Sequence, residues 1–196
     1  KTGWFYDQTG NRELFGRLMW PGARVLDVCS YAGAWAMTAL HRGAREVLCV
    51  DSSASALSVA ESNAAANGVA VKVRRGDAFE VLDQLQREGE RFDVVVLDPP
   101  AFIKRRKDLP RGEAAYRKLN QLAMRVLESD ALLVSCSCSY HLPTDALVGL
   151  IQAAARNSSR FAQILALGGQ AIDHPVHPAI PETRYLKAFF CRVTRA

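Results

Sequence analysis

Six residues, Phe92-Asp93-Val94-Val95-Val96-Leu97, carry one charge and end abruptly at Asp98-Pro99-Pro100. A strand this apolar has no face fit for water. It must be covered on both sides, as the strands of a parallel sheet are when helices pack on both faces. The same alternation recurs along the chain. Short apolar runs at Arg24 to Cys29, Glu46 to Val50, Val69 to Arg74 and Ala131 to Ser137 read as strands. Between them, Gly33 to His41, Ala54 to Asn67, Ala78 to Gly89, Gly112 to Leu127 and Thr144 to Asn157 read as helices, with Gly68 as a C-cap and Thr144 as an N-cap. Repeated β-α units imply a Rossmann-like α/β fold with helices on both faces. Two last strands, Phe161 to Leu167 and Tyr185 to Val193, are joined by an irregular loop containing Pro175, Pro178 and Pro181. They read as an antiparallel hairpin at the edge of a seven-stranded, mostly parallel sheet. No internal repeat or linker divides the chain, so residues 21–196 form one domain behind an N-terminal segment, residues 1–20.

In an open α/β sheet, ligands bind outside the carboxyl ends of the strands. Asp98, the Phe102 ring and the Cys138 thiol of Ser137-Cys138-Ser139 all follow apolar runs, so they converge on one crevice. That set suits chemistry on a flat, electron-poor ring. A nucleoside pocket is expected beside it. The first strand runs into Cys29-Ser30-Tyr31-Ala32-Gly33, whose small residues let a ligand approach the backbone at a helix N-terminus. Asp51, at the end of the second strand, suits the two hydroxyls of a ribose. Asp77, in Gly76-Asp77-Ala78-Phe79, suits an exocyclic amine, with Phe79 near the base. Singly, each acid is an ordinary cap or turn residue. Three at successive strand ends make a nucleoside pocket. Neither the Gly-x-Gly-x-x-Gly fingerprint nor a Walker loop is present, which argues against a dehydrogenase.

The bulk properties narrow the setting. With 49% hydrophobic and 23% charged residues, the chain has a globular composition. No apolar run approaches the ~20 residues that span a bilayer, and no signal peptide is apparent. Beginning at Lys1, the sequence reads as a processed or truncated piece. Five cysteines without a secreted-domain pattern point to a reducing cytoplasm. Cys136 and Cys138 are too close for a zinc knuckle and lack a partner pair, so no metal is expected. The net charge is +5, and it is concentrated. From Lys104 to Lys118, seven bases including Arg105, Arg106 and Lys107 face two acids, a surplus equal to that of the whole chain. A solvated helix start would account for such a run. Its place directly after the Asp-Pro-Pro turn favours a polyanionic partner, nucleic acid.

The order of these landmarks resembles class I S-adenosylmethionine-dependent methyltransferases. More narrowly, Phe5-Tyr6-Asp7-Gln8 with Asn11-Arg12, Asp98-Pro99-Pro100-Ala101-Phe102, Ser137-Cys138-Ser139, Asp173-His174-Pro175-Val176 and Tyr185-Leu186-Lys187 resemble the ribosomal RNA large-subunit methyltransferase I family. That family makes 5-methylcytosine in 23S ribosomal RNA. The resemblance implies that Asp51 and Ser52 hold the ribose of S-adenosylmethionine, Asp77 and Ala78 its adenine, and that Ser30, Tyr31, Gly33 and Asp98 border its methionine part. Gln8 and Arg12 would close over the cofactor from residues 1–20, Arg12 as a bidentate clamp on the carboxylate. S-adenosylhomocysteine is the implied product. Pro99, Phe102, Lys104, Arg105, Arg106 and His174 would meet the RNA, although His174 before Pro175 is equally read as a turn residue. An upstream PUA domain is usual in the family. Tyr140 stands where glycine is expected.

Methylating cytosine C5 needs a thiolate on C6, a group on the N3/N4 edge and a base to remove the C5 proton. Cys138 reads as the nucleophile and Asp98 as the base-edge partner. The eliminating base stays open, a side chain or water. Cys136, two residues earlier, would share the face of Cys138 if the strand continued. Cys29, Cys49 and Cys191 read as core. The nearest rival is an adenine or guanine N-methyltransferase, but those place Tyr or Phe directly after Asp/Asn-Pro-Pro, where this chain has Ala101. A guanine-N7 family carries Ser-Asn instead of Ser-Cys. A non-catalytic RNA-binding domain keeping the pocket is a third reading, opposed by Asp51, Asp77, Asp98 and Cys138 together.

Overall fold

A computed structural model describes residues 3–196. Seven strands form one sheet: β1 (Arg24–Val28), β2 (Glu46–Asp51), β3 (Lys72–Arg75), β4 (Phe92–Leu97), β5 (Leu127–Ser137), β6 (Arg160–Gly168) and β7 (Lys187–Arg195). Their spatial order is β3-β2-β1-β4-β5-β7-β6. The first five pair in parallel, and β7 enters antiparallel between β5 and β6. The expected terminal hairpin is therefore present, with its second strand on the inside.

Six helices cover the sheet: α1 (Thr9–Leu18), α2 (Ala34–His41), α3 (Ala54–Ala66), α4 (Ala78–Arg87), α5 (Leu109–Arg125) and α6 (Thr144–Arg156). Alternate residues of the central strands feed two cores. Val94, Val96, Leu132 and Val134 pack with Phe15 of α1, Trp35 of α2 and Leu57 of α3. Val95, Leu97 and Leu133 pack with Leu82 of α4, Leu119 of α5 and Ile151 of α6. Residues of β4 are buried on both sides, which is why its sequence leaves no polar stripe.

Several boundaries differ from expectation for identifiable reasons. Val69 is not in a strand, because its N–H caps α3 at Ala64 O while Gly68 bonds to Ala65 O. Helix α5 starts before Gly112 because Pro110 falls in its first turn, where a missing N–H costs nothing. Strand β5 starts at Leu127 instead of Ala131, through an irregularity opposite Phe92 and Val94. Its polar stretch is held by a two-bond ion pair between Asp130 and Arg192 on β7. The N-terminal segment contains α1, whose Phe15 is fully buried.

Candidate active site

The register of the sheet assembles the site. Val50, Val28, Leu97 and Ser135 lie in one row across β2, β1, β4 and β5. One step further along come Asp51, Cys29, Asp98 and Cys136, at the carboxyl ends of the strands. A cavity of about 430 Å³ opens there, within the ~300–1,000 Å³ range of small-molecule sites. Gln8, Arg12, Ser30, Tyr31, Asp51, Ser52, Asp77, Ala78, Asp98, Pro99, Phe102 and Cys138 all line it, as does Asp7.

The turn after β1 is strained. Cys29, Tyr31 and Gly33 all have positive φ, at 63°, 48° and 77°. Only glycine adopts that region without cost. The strain is held by Ser30 N–H donating to Val50 O (3.0 Å) and Tyr31 N–H donating to Asp51 Oδ2 (3.0 Å). Ser53 N–H donates to the other oxygen of Asp51 at 2.9 Å. Gly33 itself does not line the cavity. A Cβ there would sit 3.1 Å from the Ala60 Cβ on α3, so its task is the turn and the close packing of α2. Asp77 caps α4, and both bonds, from Phe79 N–H and Glu80 N–H, fall on Oδ1.

Asp98 stands at the centre. Gln8 Nε2 donates to Oδ1 (2.9 Å), and the Trp35 indole donates to Oδ2 (3.0 Å). Burial pushes its carboxyl up to about 6, against the pull of the Trp35 bond. Beneath it, fully buried Asp27 is pushed up to about 8 by burial and then by the charge of Asp98, so it holds its proton at neutral pH. Arg12 is 7% exposed, and its terminal nitrogens donate to Phe5 O and Thr9 Oγ1. The guanidinium fork expected for a ligand carboxylate is engaged in tying the N-terminal segment to the cavity wall. Trp4 and Phe5 complete that wall, with the Phe5 ring edge-on to Tyr31.

Cys138 is half-buried, and its Sγ lies 3.9 Å from Pro99 O. Cys136 is 1% exposed in the core and does not line the cavity. Ser137 and Ser139, flanking Cys138, point inward. Ser137 Oγ donates to the Tyr116 hydroxyl (2.9 Å), which lies 2.9 Å from Ser139 Oγ, and Ile103 N–H donates to Ser139 Oγ (3.1 Å). The thiol is thus presented by a strand end anchored to α5 and to the loop after Asp-Pro-Pro. Phe102 packs against Phe79 and Tyr116, with ring centroids 6.0 and 4.8 Å away.

Lys104, Arg105 and Arg106 are exposed outside the cavity on the loop before α5. Lys118 of the same basic segment reaches over the Phe79 ring at the rim. His174 lies in a second cavity, of about 640 Å³, with its Nδ1 3.0 Å from Asp173 Oδ1. Three contributors were not among the expected site residues, although Asp7 and Lys187 fall in the motifs that carry the resemblance. Trp35 looks like any apolar helical residue. Asp7 accepts a hydrogen bond from Tyr185 OH (2.8 Å), a contact across 178 residues of chain. Lys187 is a lone base at the start of an apolar strand.

The family described as conserved hypothetical protein 95 matches residues 11–142, which include most of α1, the first five strands and the Ser-Cys-Ser turn. The chain belongs to that family. A relative in Erwinia tasmaniensis, named ribosomal RNA large subunit methyltransferase I, is 38% identical over 98% of this chain and 49% of its own length. The chain thus spans about half the length of the curated relatives it matches. Among solved structures, a Streptococcus mutans protein provisionally assigned as an S-adenosylmethionine-dependent methyltransferase superposes with a TM-score of 0.85 at 21% identity, over 98% of this chain and 50% of that one. A second, provisionally assigned as a methyltransferase and complexed with S-adenosylhomocysteine, has the same score and identity over 97% of this chain and 50% of that one. These likenesses establish the Rossmann-like methyltransferase fold for this member of the conserved hypothetical protein 95 family.

Proposed function

We propose that this chain transfers a methyl group from S-adenosylmethionine to C5 of a cytosine in 23S ribosomal RNA. The observation that carries the proposal is the adjacency of Asp98-Pro99 and Cys138 in the same cavity as Asp51 and Asp77. The donor set fits the cofactor. Asp51 offers an acceptor for ribose hydroxyls, Asp77 keeps its helix cap on one oxygen, and Ser30 and Tyr31 line the same cavity as Asp51 and Asp98. Relatives named as ribosomal RNA methyltransferases and a neighbour complexed with S-adenosylhomocysteine support the same reading.

Bound S-adenosylmethionine supplies an electrophilic methyl group. The chain's own residues make C5 able to accept it. The Cys138 thiolate adds to C6, which turns C5 into an enamine carbon. Asp98, raised to about 6, shares a proton readily and engages the N3/N4 edge of the base. Methyl transfer releases S-adenosylhomocysteine, and a side chain or water then takes the C5 proton, which restores the double bond and expels the thiolate. Phe102 and Pro99 flank the base. The exposed bases from Lys104 to Lys118 hold the RNA backbone at the rim.

Nucleoside mass spectrometry after incubation with ribosomal RNA should detect 5-methylcytosine. RNA carrying 5-fluorocytosine should trap a covalent adduct, because fluorine cannot leave as a proton does, and peptide mapping should place it on Cys138. Cys138→Ser should abolish methylation while cofactor binding persists. An adduct on Cys136, or a methylated adenine or guanine, overturns the proposal.

A further inference from the structure

Cys138 faces an adverse electrostatic setting for a nucleophile. Burial raises its thiol above the ordinary value, and the charge of Asp98 and then of Asp7 raises it further. Cys136 two residues back on β5, Tyr116 from α5 and Tyr185 before β7 are further titratable groups near it, and all three are kept protonated, chiefly by burial. A thiolate here needs a positive charge nearby. Arg12 cannot serve, since its guanidinium is bonded into the N-terminal segment.

One cation remains. Lys187 opens β7 opposite Ser137, the residue before Cys138. Its side chain turns inward and is 7% exposed. Its Nζ donates to Ser139 O at 2.6 Å and to Leu142 O at 2.9 Å, on the turn that follows Cys138. Among the described residues, no carboxylate forms an ion pair with it. A buried charge with no opposite charge is costly, and proteins seldom keep one without a use. Two carbonyls solvate this ammonium without neutralising it. Burial lowers its proton affinity to about 8, and the charge of Cys138 raises it again. The same coupling lowers the thiol.

We propose that the Lys187 ammonium is the counter-ion of the Cys138 thiolate, a positioning residue that holds the nucleophile in its reactive form. It rests on the nucleophilic role assigned to Cys138 above. Ionisation sends the S–H proton to solvent and leaves a thiolate, with the ammonium held on the turn that follows it. Adding the thiolate to a base consumes its negative charge, and expulsion at the end of the cycle restores the pair. Lys187 touches neither base nor cofactor in this scheme. It acts through the thiol and through the Ser139–Leu142 turn.

The test reads the thiol directly, without RNA. The rate of Cys138 alkylation by iodoacetamide, followed by peptide mapping, is measured against pH in the parent, Lys187→Arg, Lys187→Gln and Lys187→Met. S-adenosylmethionine binding reports whether each variant is folded. The midpoint should rise in Gln and Met, lowering the rate near pH 7.5 by about tenfold for each unit of displacement. Arg should stay near the parent. Gln keeps a donor for the carbonyls, so a merely structural lysine predicts no change there. An unmoved alkylation midpoint in both Gln and Met overturns the pairing. The cytosine reading fails separately, by the absence of 5-methylcytosine or of the fluorocytosine adduct.

Discussion

Tyr116 is fully buried, and its hydroxyl is spent on two serines that flank a cysteine. Removing that hydroxyl leaves Ser137 and Ser139 without their shared partner, and unsatisfied buried polar groups cost about 1–3 kcal/mol. Tyr116→Phe should therefore lower stability by that order in urea melts, and should slow methylation more than it weakens cofactor binding. Asp51→Ala tests the other end of the cavity. It removes an acceptor that also fixes Tyr31 and Ser53, so S-adenosylmethionine affinity should fall by roughly 1–3 kcal/mol in calorimetry. The acids and the thiol were legible in the sequence because strand ends in an α/β sheet all open on one crevice. The serines were legible only as a pattern around the thiol, since nothing in Ser-Cys-Ser reveals a tyrosine 21 residues away. Trp35 and Lys187 were illegible as site residues for a similar reason. An indole on an apolar helix and a lysine at a strand start acquire their roles from partners distant in sequence.

At the scale of elements, the strands were the most readable. Their apolar runs are short and doubly buried, and β4 matched at both ends. Helix α1 went unread because two glycines and few apolar residues blur its period. Its burial comes from Phe15 meeting Trp35 edge-on, at 5.5 Å between centroids. The polar start of β5 lies outside the strand expected from Ala131; Leu127 pairs with Phe92 of β4, and Asp130 with Thr194 of β7. The basic element from Lys104 to Lys118 is exposed, so reversing charges there should spare the core. Arg105→Glu with Arg106→Glu should weaken RNA binding and flatten its dependence on salt, while S-adenosylmethionine binding stays unchanged. A filter-binding series over salt concentration measures both.

Across the whole molecule, stability should fall as the medium becomes more alkaline. Asp27 keeps its proton in the fold to about pH 8 and Asp98 to about 6. In the unfolded chain both carboxyls lose theirs near pH 4. Over that window the folded state binds more protons, so rising pH favours unfolding, by about 1.4 kcal/mol per pH unit for each group still protonated. Urea melts at pH 5 and pH 7.5 should show the decline, and Asp27→Asn should remove its larger part. A decline of equal size in the variant would place the burden elsewhere. The N-terminal segment also bears on turnover in the proposed reaction. Gln8 is bonded to Asp98, the Asp7 carbonyl accepts from Ala171 N–H, and the Asp7 carboxylate accepts from Tyr185. Trp4 and Phe5 wall the same cavity. In the proposed reaction, a spent cofactor leaving past those rings would unfasten three latches, one on the central carboxylate and two on the loop that leads into β7. The gate for one ligand would then be hinged on the seat of the other, tying the tempo of product exchange to the state of the base site.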